Sequence, residues 1–70
     1  MKTGIIKEVN DTGSAGKIQE LNSNDVLKFT NPSNLRNIAL GDQYEFDQVT
    51  QIHRGNEVTS NALVRKRPTF

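Results

Sequence analysis

The stretch that decides the fold is residues 43–64, QYEFDQVTQIHRGNEVTSNALV. Tyr44 and Phe46 are two apart, so in an extended chain they share one face, with charged or polar neighbours between them. Arg54, Gly55 and Asn56 then form a turn signal, and a second segment rich in β-branched types follows. Two such segments about a short Gly-containing turn predict a β-hairpin. On its second strand the two-residue period puts Val58, Ser60, Ala62 and Val64 on one face, taken here as the inner one. No comparably long segment of the chain carries a 3.6-residue apolar period.

Working outward, the same grammar repeats. Residues 3–9 (TGIIKEV) are rich in β-branched side chains and end at a turn cluster, Asn10, Asp11, Thr12 and Gly13. Residues 16–21 alternate about Ile18, and Asn22 to Asp25 form another turn. Residues 26–30 (VLKFT) are a short strand stopped by Asn31 and Pro32. In residues 35–40, Leu35, Ile38 and Leu40 have helical spacing, enough for a single turn at most. Five short strands separated by turns predict a small all-β barrel or sandwich, and closure suits a chain this short because it removes strand edges. The expected core is Ile6, Val9, Ile18, Leu27, Phe29, Tyr44, Phe46, Ala62 and Val64, with one domain over residues 1–67 and a short tail at 68–70.

Composition narrows the chemistry. The chain has 70 residues, no Cys and a single His, His53. That excludes disulfide staples, thiolate nucleophiles, Cys-based zinc sites and a one-chain His cluster for a catalytic metal. No run of about 18 apolar residues is present, so no membrane-spanning helix is expected, and the opening residues have no apolar signal core. A cytoplasmic setting is the expectation. The net charge is +1, but three cations stand together as Arg65, Lys66 and Arg67, and the remainder of the chain is mildly acidic. A broad basic stripe for nucleic acid is therefore missing, and phosphate binding would rest on a few placed cations.

Catalytic motifs fail on inspection. Gly13 to Lys17 (GSAGK) lacks the first Gly of a phosphate-binding P-loop, because position 11 is Asp, and Ile18 stands where Ser or Thr should follow the Lys. A G-x-x-G clamp needs flanking helices, and none are predicted. These glycines read as turn residues that supply positive φ. His53 has no titrating partner near it in sequence. Asp42, Glu45 and Asp47 read as a solvated face, not an acid/base pair. No enzyme, no cofactor and no metal site is expected.

The order of the pieces resembles a family. Thr3-Gly4-Ile5-Ile6-Lys7, then Asn10, then Gly16 and Ile18, is similar to the opening of a bacterial cold-shock domain, G-x-V-K-W-F-N followed by K-G-F-G-F-I. Residues 38–46 (IALGDQYEF) resemble that family's L-x-x-G-x-x-V-x-F, and Asn61-Ala62 falls where it has A-x-N-V. The resemblance spans about residues 2–65 and implies a five-stranded OB-type barrel that binds single-stranded RNA or DNA by stacking bases on aromatic side chains.

The departures fall on those side chains. Glu8 and Val9 stand at the family's Trp and Phe positions, and Ala15 and Lys17 at the Phe positions of the second strand. The third strand has two registers. Burying Lys28 without a partner is unfavourable, so Leu27 and Phe29 are placed inward and Lys28 and Thr30 outward. Lys17 and Lys28 then become neighbours on an exposed face, with Glu8 beside them. What remains for nucleic acid is Lys7, Lys17, Lys28, Thr30, His53, Arg54, Arg65, Lys66 and Arg67. The expectation is weak single-strand binding through phosphates. The alternative is a protein-interaction or regulatory module that kept the barrel and lost the nucleic-acid platform.

Overall fold

A computed structural model describes residues 1–67. The expected tail at 68–70 lies outside the described residues. Five strands form, β1 (Lys2–Val9), β2 (Ala15–Glu20), β3 (Val26–Thr30), β4 (Gln43–His53) and β5 (Asn56–Arg67). They close in the order β1-β2-β3-β5-β4, a five-stranded all-β barrel of OB type. All neighbouring pairs are antiparallel except β3 with β5, which run parallel. No helix forms among the described residues. Leu35 and Ile38, despite their helical spacing, sit in an irregular connection and pack against the core from one side.

Six side chains fill the barrel: Ile6, Ile18, Phe29, Tyr44, Phe46 and Leu63. Val9 and Leu27 are half-buried against them. Ile6 and Val9 are three apart and cannot share a face in a regular strand. A β-bulge resolves this, since the register between β1 and β2 shifts from Ile6↔Ile18 to Glu8↔Lys17. The extra residue turns both Lys7 and Glu8 to solvent and brings Val9 back towards the core.

On β5 the expected inner face is corrected. Ala62 and Val64 are only half-buried, and Val58 is exposed. The inner positions are Asn61 and Leu63, with Leu63 directly opposite Phe46. Asn61 is tolerated inside because its side-chain amide donates to the Lys28 carbonyl at 2.8 Å, tying β5 to β3 at the barrel's single parallel seam. A second bulge, between Glu45 and Phe46 as they pair with β5, resets the face beyond Leu63. Residues 65–67 continue β5 to its end at Arg67.

β4 and β5 outrun the barrel. Beyond Gln48 and Asn61, where β5 leaves β3, they continue as a two-stranded ribbon closed by Arg54 and Gly55, with φ of 51° and 79°. Two successive positive φ values define a type I′ turn, whose twist matches the ribbon. An 11-residue strand is about 36 Å long, which accounts for most of the 43 Å long dimension of the molecule.

Candidate nucleic-acid interface

The two connections next to the open end of the barrel are held by asparagines. The Asn10 carboxamide oxygen accepts from the Ser14 backbone N–H at 2.9 Å, and its amide donates to the Ser14 hydroxyl at 2.9 Å. Asn31, buried, donates to the carbonyls of Gly13 and Leu35 at 2.8 and 2.9 Å and accepts from the Leu35 N–H at 2.9 Å. This Asn clasp joins the β1–β2 turn to the β3–β4 connection and fixes one wall of a surface groove.

The groove has a volume of about 630 Å³. Its floor is Val9, Ala15, Gly16 and the ring of Phe29, with exposed Leu40 at one side. Gly16 faces Val9 across the strands and is not a turn residue: unlike Gly13, whose φ is 73°, it lies within β2 with no positive φ. Its requirement is space. A Cβ there would run into the Glu8 carbonyl oxygen and come within 2.8 Å of the Phe29 ring. Gly16→Ala is therefore expected to lower stability by about 1–3 kcal/mol through overpacking, read as a reduced denaturant midpoint. An unchanged midpoint would show that β1 does not press on β2 at this point.

Across the groove runs a row of charges. Glu8 pairs with Lys17, and Lys17 pairs with Lys28, so the three strands present carboxylate, ammonium and ammonium side by side. Lys17 Nζ lies 3.8 Å from the Glu8 carboxylate, a contact between two well-exposed groups that contributes about 0–1 kcal/mol. Among the described residues Lys7 and Lys28 have no carboxylate within ion-pairing distance. The rim thus carries three lysines against one glutamate. Like charges directly opposite on adjacent strands repel, so the face is poised for an anion.

The expected site residues divide into three places. Lys7, Lys17, Lys28 and Thr30 line the groove together. His53 and Arg54 lie at the ribbon's end, exposed and outside the groove. Arg65, Lys66 and Arg67 also lie outside it, engaged at the end of β5. Arg65 Nε donates to the Glu45 carboxylate at 2.6 Å, which raises its pKa further. Lys66 Nζ sits 3.3 Å from Asp42, and Arg67 donates to the Thr3 hydroxyl at 3.3 Å. Asp42 and Glu45, read from the sequence as a solvated face, thus serve as these cations' partners. Burial pushes the nearby Tyr44 hydroxyl above its ordinary pKa, against the pull of Lys66.

Two contributors escaped the sequence reading. Leu40 supplies apolar surface to the groove. Arg36 lines a second, polar hollow of about 600 Å³ that adjoins the groove through Val9 and Asn10. Both belong to the segment read as a possible helical turn, whose side-chain directions depend on the Asn31 clasp. Among the described residues no group of three or more His, Cys, Asp or Glu could hold a metal ion. Compared with known proteins, the chain matches no family model, no curated protein and no solved structure.

Proposed function

We propose that the groove face of β1, β2 and β3 binds single-stranded RNA or DNA, weakly, by contacts to phosphates. The observation that carries this reading is the row Glu8, Lys17, Lys28 with Lys7 beside it, a local excess of positive charge on an otherwise mildly acidic body. The resemblance to cold-shock domains supports it, because the positions at which that family stacks bases (Glu8, Val9, Ala15 and Lys17 here) all line the groove. With lysine in place of rings, stacking of roughly 1–3 kcal/mol per base is lost and phosphate attraction remains. Low affinity, little base preference and strong salt sensitivity follow.

A second reading has its own observation. The groove floor is apolar, with Val9, Ala15 and exposed Leu40 below a lysine rim. Such a surface also suits an acidic protein segment that inserts an aliphatic side chain. Mapping backbone amide shifts while adding a short oligonucleotide separates the two. The nucleic-acid reading expects saturable shifts at Lys7, Gly16, Lys17, Lys28 and Thr30. Shifts confined to Arg65, Lys66 and Arg67, or none at low salt, would contradict it.

A further inference from the structure

β1 pairs with β4 only as far as Phe46, while β4 runs on to His53 with β5 as its neighbour on one side. Among the described residues no strand covers the other side. Counting back from the two-residue turn, His53 and Asn56 form the closing hydrogen-bonded pair. Antiparallel pairs alternate, so the main-chain N–H and C=O groups of Val49 and Gln51 face β5, and those of Gln48, Thr50 and Ile52 face outward. Proteins usually blunt such an edge with Lys, Pro or a bulge. Residues 48–52 (QVTQI) have no charge and no Pro, and their pairing with β5 is regular.

We propose that this edge pairs with the same edge of a second copy, antiparallel and centred on Thr50. A two-fold axis there sets Thr50 against Thr50 of the second copy and Gln48 against its Ile52. All three outward-facing residues are then used, giving about six main-chain hydrogen bonds, two for each pair. A shift by two residues in either direction leaves one of the three unused. The side chains agree with this register. Thr50 and Thr59 already touch through their hydroxyls at 3.1 Å, and the axis extends them into a row of four threonines, a favourable cross-strand arrangement. Ile52, 78% exposed, gains a neighbour in Gln48. No charge falls within the paired segment. Just outside it Asp47 holds the Met1 ammonium at 3.9 Å and Lys2 pairs with Phe46, so the second copy's His53 and turn end beside the start of β1, which limits the pairing to residues 48–52. The paired segment is short, well below a standard interface in area, so the association is weak and concentration-dependent.

Sedimentation equilibrium on the protein alone tests this, from low micromolar to about 1 mM. The expected result is conversion of a 7.8 kDa species towards twice that mass, with slowed amide exchange at Gln48, Thr50 and Ile52 as concentration rises. Thr50→Lys places two ammonium groups against each other at the axis while leaving an exposed position of β4, and should weaken the dimer at least tenfold. Thr50→Pro removes an outward N–H that β5 does not use and should act in the same direction. A monomer throughout that range, or a dimer whose exchange protection lies elsewhere, would overturn the proposal and leave the edge to a strand of another protein.

Discussion

Phe46→Ala is expected to bring the domain to the limit of stability or beyond it. Phe46 is fully buried, and among the described residues the core it belongs to has only six fully enclosed side chains. Its ring packs at the point where β4 passes from β1 to the ribbon, opposite Leu63. Truncating a buried Phe costs about 3–5 kcal/mol, because transfer free energy is lost and a cavity remains. A 70-residue domain has about 4–10 kcal/mol in total. At about 4–8 °C per kcal/mol for this size, the melting temperature should fall by roughly 12–40 °C or the cooperative transition should vanish. Val58→Ala, on the exposed ribbon, is the matched control and should shift it by only a few degrees. An unchanged transition in Phe46→Ala would mean that the barrel core is not where Phe46 lies.

The second large effect is on binding. Lys17→Glu combined with Lys28→Glu changes the groove rim from three lysines and one glutamate to one lysine and three carboxylates. Both positions are exposed, and surface charge changes cost folding about 1 kcal/mol or less. The double variant should therefore keep its circular dichroism spectrum and cooperative melting. Its affinity for a single strand should fall by far more than tenfold, since two phosphate contacts become two repulsions. Arg65→Glu is the informative comparison. It disrupts the contact with Glu45 outside the groove, so binding should hardly change. A folded double variant that binds as the parent does would remove the groove from consideration.

What the sequence disclosed and what it concealed have physical reasons. The β3 register was legible because one slip would have buried an unpaired Lys28, and the structure indeed pairs Lys17 with Lys28 on the exposed side. The Tyr44 and Phe46 period and the turn at Arg54 and Gly55 were legible because both are local. The inner face of β5 was not. Val58, Ala62 and Val64 make the opposite face the more apolar one in sequence, and the polar residue that goes inside, Asn61, has its amide anchored by a carbonyl 33 residues away while its carboxamide oxygen finds no partner among the described residues. In sequence Arg65, Lys66 and Arg67 show only as three cations standing together; their partners Glu45, Asp42 and Thr3 are brought near only by barrel closure. The charge row Glu8, Lys17 and Lys28 was legible from the same β3 register; what needed the fold was the bulge, which turns Lys7 outward beside Glu8.

The central claim is that the lysine row binds single strands through phosphates, and salt dependence tests it most directly. A fluorescent single-stranded oligonucleotide of about 8 nucleotides spans one OB-sized face. Three phosphate contacts, at Lys7, Lys17 and Lys28, give a slope of log K against log salt of about −2, so affinity should fall roughly 20-fold between about 50 and 200 mM salt. Saturable binding at the lower salt with that slope is the predicted result. No saturable binding at the lower salt, or binding that does not change with salt, would contradict it.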